Sequence, residues 1–485
     1  MEGKDQHLGT VPLDPEQALK SKIHPSSMDR TPTLSGSDEN DTQYDNVDEV
    51  QTISLSRTAT NAAGKEGMFA RTLSLVRTKD SGRDPGPPPD GGFNAWFQAI
   101  LAHFVIMNTW GYINSFGVFQ SYYTATLNRP PSDISWVGSM QIFLLFFIGT
   151  FSGRATDAGY FKAVWGVGTV ILMIGIFMTS LCTTYWQLFL SQGLCMGIGS
   201  GFIFCPTIAL TSTYFSSKRG MALAFAACGS ATGGLIFPAV VRELLPRIGF
   251  PWTMRVLGFI TLATSLPGFF FFRQRLPPRT SGPLFELAAF KEMEYSLYAI
   301  GMFLNFWSLY VGFFYVSSFG RDIVGLSQSK ALDVLLIMNG VGTVGRMIPS
   351  VISDYYTGPF NALIPFAFGT GIVSFIWIAI DGVGGLYAFA VLYGFFGAGI
   401  QALFPVTAAS LTTDMKKIGV RFGMLLSIVS FASLTGAPIA GALIQLKDGD
   451  YMYAQIFAGL STMVGTTILV MARCAMTGFV LKVRA

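Results

Sequence analysis

Arg346 is the one charged residue in the middle of a long apolar stretch, Asp333 to Ser353, and its side chain is suited to binding an anion. A guanidinium can hold a carboxylate through two parallel hydrogen bonds. If the stretch crosses a bilayer, burying the charge costs about 3 kcal/mol, and a charge kept there marks a functional site. The alternative is an arginine near a helix end whose head group reaches the lipid surface. Because apolar sequence continues beyond Arg346, we favour the first interpretation.

Polar side chains elsewhere in the apolar sequence could complete a pocket around this guanidinium. Asn339 lies two helical turns before Arg346 and on the same face. Aromatic and amide residues of other apolar segments would add an apolar pocket with a few polar contacts. The residues that we predict to bind a substrate are Arg346, Asn339, Asn114, His103, Asn305, Tyr310, Tyr393 and Gln401.

The first apolar segment carries two neighbouring polar stripes, as judged by helical spacing. One contains His103, Met107 and Asn114, and the other contains Asn108, Tyr112, Ser115 and Phe119. We expect one of these two faces to line the pocket. His103 is either a structural residue with satisfied hydrogen bonds, as is common for buried histidines, or a proton carrier.

The composition is that of a polytopic membrane protein. Of 485 residues, 51% are hydrophobic and 12% are charged, and the mean hydropathy is +0.48. The net charge of +4 is scattered over short loops, which excludes nucleic acid as a partner. Five cysteines without a CxxC pair or a histidine cluster predict neither disulfides nor a metal site. The sequence has no HExxH, GxSxG or P-loop motif, so we predict neither enzymatic activity nor a cofactor.

Apolar segments of about 20 residues, the length that crosses a bilayer core, recur from Phe93 onward. An even number of crossings places both termini on one side, and the excess of Lys and Arg in the loops of that side predicts that it is cytosolic. We predict twelve transmembrane helices, called spans one to twelve, near 95–120, 134–153, 162–182, 186–210, 219–241, 253–272, 295–317, 331–352, 361–380, 385–409, 420–444 and 454–477.

The same pattern divides the chain into four regions. Residues 1–89 are rich in Ser, Thr, Asp, Gly and Pro, which predicts a disordered cytosolic tail. Residues 90–272 and 295–485 would each form a bundle of six helices, the second followed by a short cytosolic tail. Residues 273–294 would form the cytosolic loop between the bundles. Asp90 is placed to cap the helix that follows it.

The two halves of the membrane region echo one another. Arg154 and Arg346, and likewise Pro206 and Pro405, occupy corresponding positions roughly 190 to 200 residues apart. Duplicated halves predict an all-α membrane protein in which two pseudo-symmetric six-helix bundles enclose a central site.

The segment PPPDGGFNAW, Pro87 to Trp96, resembles the start of span one in the monocarboxylate porter family of the major facilitator superfamily, whose signature is Asp-Gly-Gly-aromatic followed by Trp. Further matches are NSFGVFQSYY from Asn114, YFSSKRGMALAFAACGSATGGLIFP from Tyr214 and NGVGTVGRMIPSVISD from Asn339. The resemblance extends to about Ala475 and is typical of the fungal branch. It implies the major facilitator fold and transport by alternating access.

The resemblance also implies roles for single residues. In animal members the span-eight arginine binds the substrate carboxylate, an aspartate one turn earlier carries the proton, and a lysine of span one assists. Arg346 matches the arginine, whereas Gly342 and Asn114 stand at the other two positions. We therefore expect a substrate larger or less acidic than lactate, such as a vitamin or a secondary metabolite. A proton is a candidate coupling ion without an assigned acidic carrier.

Gating residues are predicted from a second resemblance. GRATDAGYFK, from Gly153 to Lys162, is similar to the Gly-x-x-x-Asp turn of the superfamily, in which an acid and nearby bases latch one conformation. Gating roles would fall to Arg154, Asp157 and Lys162, and to Asp354 in a degraded second copy. Pro238 and Pro438 would permit the bends that rocking halves need, or would simply accompany small residues at packed helix contacts.

These observations predict a monomeric, multi-pass carrier of the plasma membrane. Its substrate would be a small organic anion or a related metabolite, moved by secondary active or facilitative transport. The alternative is a non-transporting membrane sensor or receptor of the same fold.

Overall fold

The computed structural model describes residues 86–276, 285–412 and 418–478, all of which belong to one compact unit, Met68–Ala485. The predicted tail up to residue 85, the middle of the central loop and the last seven residues lie outside the described residues, as does the side chain of Asp157. The described parts contain helices and the turns between them.

Helices occupy all twelve predicted span regions within the described residues. Their bounds are Gly92–Asn114 and Phe116–Leu127 (span one), Pro131–Ala155 (two), Phe161–Thr179 (three), Tyr185–Leu188, Phe189–Cys195 and Met196–Ser212 (four), Arg219–Ala227 and Gly229–Phe271 (five and six), Met293–Asp322 (seven), Gln328–Ile352 and Ser353–Thr357 (eight), Pro359–Ile376 (nine), Val383–Ser410 (ten), Ile418–Leu446 (eleven) and Met452–Thr477 (twelve).

In the described part of the chain, ten helical runs are long and apolar enough to cross a membrane. One of them, Arg219–Phe271, has 53 residues and holds spans five and six. At 1.5 Å per residue it would be about 80 Å long, far more than a bilayer core of about 30 Å. Its direction changes at Gly249, whose φ of 72° is non-helical. Span one, divided at Ser115, completes the twelve.

Proline and glycine act differently in these spans. The helical assignment is continuous through the buried Pro238 and Pro438, so their predicted role as bends remains a prediction. Glycine instead permits close packing between spans one and five. A Cβ added at Gly233 would lie 2.6 Å from the Gly111 Cα atom. The small residues of span five are therefore needed for packing against span one.

The two six-helix bundles meet through spans two and eleven and through spans five and eight. The pseudo-twofold axis relates span two to span eight and span eleven to span five, so it converts the first pair into the second. The outer spans three, six, nine and twelve expose apolar side chains to the surroundings, for example Val170, Phe259, Phe368 and Leu460. This is the predicted all-α fold of two pseudo-symmetric bundles.

Asp90 does not cap the helix that follows it, which is a correction. The helix that begins at Gly92 has no side-chain cap. The Asp90 carboxylate instead accepts hydrogen bonds from the backbone N–H groups of Ser216 (2.8 Å), Ser217 (3.1 Å) and Lys218 (3.1 Å), and from the Ser217 hydroxyl. These groups lie in the turn between spans four and five, directly before the helix that begins at Arg219. Asp90 therefore ties the segment before span one to the start of span five.

Candidate substrate-binding site

A cavity lies between the two bundles. Its lining comes from spans one, two, four and five of the first half and from spans seven, eight, ten and eleven of the second. It extends from the middle of the spans toward the side on which span one begins. We call this the tail side and the opposite side the far side.

Arg346 lies in the wall of this cavity and is buried, with 2% of its surface exposed. Its Nη1 donates to the Gly342 carbonyl one turn earlier (2.9 Å), and its Nη2 donates to Gln401 Oε1 on span ten (2.7 Å). Among the residues that the structure describes, no carboxylate is paired with it. Both acceptors are neutral, so no carboxylate of the described residues balances the positive charge of the guanidinium.

Gln401 is the second predicted residue that lines the cavity. Its Oε1 accepts from Arg346, and its buried Nε2 has no hydrogen-bond partner in the described part of the chain. A ligand oxygen at this point would meet a charged donor from span eight and an amide donor from span ten. The pair therefore joins span eight to span ten at the cavity wall.

Tyr310, Asn339 and Asn114 are buried near the cavity without lining it. The Tyr310 ring stacks on Trp110, with 6.2 Å between ring centroids, and Trp110 faces the cavity. Asn339 donates through Nδ2 to the backbone carbonyls of Asn114 (3.3 Å) and Gly234 (3.2 Å). These two asparagines therefore contribute to contacts between the halves.

Neither polar face predicted for span one lines the cavity, which is a correction. His103 bonds Phe225 O (3.0 Å) and Thr232 Oγ1 (3.1 Å) on span five. Asn108 donates to span six, at Thr264 Oγ1 (2.9 Å) and Ser265 Oγ (3.0 Å). The side chains of His103 and Asn108 are bonded within their own bundle, and the residues of span one that face the cavity are the apolar Ile106 and Trp110.

Two further predicted residues also face neighbouring helices. Asn305 donates to the Gly301 carbonyl of its own helix (2.8 Å) and lies against Gly465 of span twelve. The Tyr393 hydroxyl donates to the Leu309 carbonyl of span seven (2.9 Å). These polar groups hold the second bundle together and are absent from the cavity lining.

Apolar side chains form most of the wall, and the aromatic residues among them, such as Phe146 and Phe404, were not among the predicted substrate-binding residues. The rings of Trp110 and Phe146 are 5.2 Å apart, those of Phe146 and Phe306 are 5.9 Å apart, and those of Phe306 and Phe404 are 5.1 Å apart. This chain of contacts runs from the first bundle to the second. The spacing of Ile106 and Trp110 by four residues was the available signal in span one.

The family follows from comparison with known proteins. The sequence profile of the Major Facilitator Superfamily matches residues 99–412. The chain belongs to the major facilitator superfamily. Membership agrees with the paired bundles and the central cavity, and it makes this protein a multi-pass membrane transporter rather than an enzyme.

Several fungal transporters are similar to this superfamily member. An MFS-type transporter of Gibberella zeae is 48% identical over 398 residues, which is 82% of this chain and 90% of that protein. The aspyridones efflux protein apdF of Emericella nidulans is 36% identical, over 78% of this chain and 77% of that protein. The crystal structure of the human organic anion transporter MFSD10 (TETRAN) shares the fold, with a TM-score of 0.61 at 11% identity, and covers 80% of this chain and 100% of that chain.

The predicted gating residues of this transporter lie on the tail side. Asp354, at the end of span eight, approaches the start of span five so closely that a Cβ added at Gly220 would overlap its carboxylate. Arg154 is partly buried and Lys162 is exposed, beside a turn in which Gly159 has a φ of 93°. Asp354 thus connects the two halves, while the gating roles of Arg154, Asp157 and Lys162 stay predictions.

Proposed function

We propose that this protein exports a bulky organic anion from the cytosol by alternating access. The observation that carries the proposal is Arg346, a buried guanidinium with neutral partners in the wall of an apolar cavity between two bundles. A hydrogen bond to a charged group contributes about 1.5–3 kcal/mol, so two neutral acceptors offset part of the desolvation cost. An anionic ligand would offset the rest of the desolvation cost of the guanidinium, and this interaction would increase its affinity.

The shape and lining of the cavity support a substrate with a large apolar or aromatic body. Pockets that hold drug-sized ligands are mostly apolar, which matches the apolar and aromatic lining here. A lactate-sized anion would leave most of that wall without contacts. A secondary metabolite with one acidic group fits better. Such a substrate agrees with placing this protein in a fungal branch of the monocarboxylate porters.

Export from the cytosol has two lines of support. The excess of Lys and Arg in the tail-side loops favours a cytosolic position for that side, and the cavity lies toward it. The Emericella relative is named as an efflux protein. We place the transporter in the plasma membrane with both termini cytosolic, as a monomer, with a proton as the candidate coupling ion.

The test is a flux assay in membrane vesicles with a panel of aromatic carboxylates and acidic polyketides. Arg346→Ala should reduce saturable flux at least about 100-fold, because two charged hydrogen bonds to the substrate would be lost. Arg346→Lys should retain partial flux, because a lysine keeps the charge without the planar pair of donors. Arg255→Ala is the matched control, since Arg255 lies on span six, 4.8 Å from the ring of Trp252, and outside the cavity lining.

Normal flux in Arg346→Ala would remove the anchoring role. Absence of saturable flux for every compound, together with altered signalling in cells that lack the protein, would instead favour the sensor or receptor.

A further inference from the structure

The end of the central loop forms a short 3₁₀ helix, Leu287–Lys291, directly before span seven. Span seven begins at Met293 on the tail side, so this helix lies at the level of the tail-side membrane surface. Residues three apart in a 3₁₀ helix lie on the same face. The helix therefore has three faces, each with a different environment.

One face of this helix is buried and the other two are exposed. Ala289, on the first face, is completely buried. Leu287 and Phe290 share the second face, and 72% and 37% of their surfaces are exposed. Ala288 and Lys291 share the third face, which is also exposed. One exposed face is thus apolar, and the other carries a positive charge.

Arg421, at the tail-side start of span eleven, fixes the orientation of this helix. Its guanidinium donates to both carboxylate oxygens of Glu292, from Nη1 (2.7 Å) and Nη2 (2.5 Å), and from Nε to Glu286 Oε2 (3.2 Å). The Tyr295 hydroxyl donates to the Arg421 carbonyl (2.8 Å). Because Glu286 and Glu292 flank the helix on either side, it can neither rotate nor leave span eleven without breaking both ion pairs.

The apolar face continues along the outer side of span seven. Met293 is 63% exposed, and Ile300, two helical turns later on the same face, is 51% exposed. Neither residue lines the cavity, whereas Phe306, on a different face of this span, does. Met293 and Ile300 therefore face lipid, and Leu287 and Phe290 extend the same apolar surface beyond the end of the span.

Water is an unfavourable environment for this apolar face. Exposing apolar surface to water costs free energy in proportion to its area, and proteins rarely leave large apolar side chains together in water. Helical segments that lie in a membrane surface place apolar side chains at the acyl chains and basic side chains at the headgroups. Leu287, Phe290 and Lys291 match this arrangement.

We propose that Leu287, Phe290 and Met293 insert into the tail-side leaflet and anchor the second bundle to the membrane surface. Lys291, on the neighbouring face of the helix, then lies at the depth of the lipid phosphates. The occupant of the apolar face is thus lipid, since the face continues the lipid-facing surface of span seven.

The anchor is connected to the cavity through span eleven. Arg421 holds the helix, and the next residue, Phe422, lines the cavity. The helix therefore holds the tail-side mouth of the second bundle at a fixed depth in the membrane. This role does not depend on which substrate the cavity binds.

The test measures the quenching of a nitrobenzoxadiazole label on single cysteines in phosphatidylcholine vesicles. Leu287→Cys reports the apolar face, and Lys291→Cys on the same helix is the matched control. Nitroxide lipids labelled near the headgroup end of the acyl chain should quench position 287 at least about twofold more strongly than position 291. Iodide in water should show the reverse order. Serine replaces the three partly exposed native thiols and the one that lines the cavity, as Cys182→Ser, Cys195→Ser, Cys474→Ser and Cys205→Ser.

Two results would overturn the anchor. Equal quenching by iodide at both positions, without quenching by lipid, would mean that the apolar face lies in water. Absence of quenching by either reagent at position 287 would mean that protein covers the face, either the chain before residue 86 or a second copy.

The ion pairs provide a second test, since they fix which face meets the membrane. Glu286→Gln combined with Glu292→Gln should abolish the difference in lipid quenching between positions 287 and 291. Glu294→Gln is the matched control, because Glu294 is not paired with Arg421 within the described residues. A difference that persists in the double variant would overturn the anchoring of the helix through span eleven. None of these measurements uses a substrate, so failure of the anchor and failure of the proposed transport are distinguishable.

Discussion

At the scale of single residues, the proposed anion-binding position is a contact between Arg346 and Gln401 rather than an isolated arginine. Gln401 Oε1 lies 2.7 Å from Arg346 Nη2, a donor that the proposed substrate would also use. The carboxamide can then either remain as an acceptor or rotate to present its unpartnered Nε2. On the proposed function, Gln401 would therefore control how much of the guanidinium is available to a substrate.

Gln401→Glu should weaken anion binding strongly without changing the size of the side chain. A carboxylate at this position would form an internal ion pair with Arg346 and compete with the substrate, so KM should rise about 10-fold or more. Gln401→Met, which keeps the length without an acceptor, should have a smaller effect. Substrate dependence of flux in vesicles provides the measurement, and an equal KM for the Glu variant and the unmodified protein would contradict the pairing.

The sequence was sufficient to predict Arg346 and Gln401 but not the remaining wall. Arg346 stands out because a charge in an apolar stretch is costly. His103 and Asn108 were misleading, because helical spacing defines which residues share a face but not which neighbour that face meets. Their partners, Thr232 and Thr264, come from distant segments of the same bundle. Ordinary apolar residues such as Phe146 carry no signal that separates a cavity wall from a packed core.

At the scale of elements, hydropathy located the spans because a bilayer sets their length. Contacts between segments were less accessible to prediction. Aspartate is a common helix-capping residue, so the helix directly after Asp90 was the one that we predicted it to cap. The structure uses it at the start of span five instead, since the chain before span one runs past Tyr214 and bonds its carbonyl (3.0 Å).

Asp90→Ala should lower the melting temperature of the purified protein, because three backbone N–H groups before span five would lose their acceptor. Hydrogen bonds from the Ser217 hydroxyl and from the backbone of Ser216 and Lys218 hold the pKa of Asp90 well below its usual value. A carboxylate with a lowered folded-state pKa stabilises the fold above the unfolded value of about 3.9, and this contribution is lost as the pH falls through the folded value.

The difference in melting temperature between Asp90→Ala and the unmodified protein should therefore be equal at about pH 7 and pH 5. The melting temperature of Asp90→Asn should lie between those of Asp90→Ala and the unmodified protein, because the amide keeps one acceptor oxygen. A difference that disappears already at about pH 5 would contradict a carboxylate with a lowered pKa.

At the scale of the whole molecule, the two bundles are in contact along the far side and enclose a cavity toward the tail side. The pseudo-symmetry could be predicted from the repeated motifs, but the conformation could not. The sequence is the same in every state of the transport cycle, so its motifs do not show which side is closed. Packing such as that of Phe116 on Phe314 shows that the far side is closed here.

A cysteine in the cavity wall should be accessible to a water-soluble reagent from the tail side only. Ala402 lines the cavity. An impermeant thiol reagent should therefore modify the Ala402→Cys variant from the tail side and not from the far side. A transported anion should slow this reaction. Cys205→Ser is included in the background, since Cys205 also lines the cavity. Val170→Cys, in the middle of an outer span, should stay unmodified from either side, because an impermeant reagent does not enter the hydrocarbon core. Equal modification from both sides would contradict the conformation.

The neutral partners of Arg346 also have an electrical consequence. An arginine stays protonated, so on the proposed mechanism the empty binding site carries one positive charge, and binding of a monoanion makes it neutral. Membrane voltage then acts on the return of the empty carrier and not on the loaded step, with up to about 2.3 kcal/mol per 100 mV for a full crossing of the charge. A cytosol at negative potential would draw the empty site back toward the tail side, so the voltage across the membrane would help drive each cycle of export.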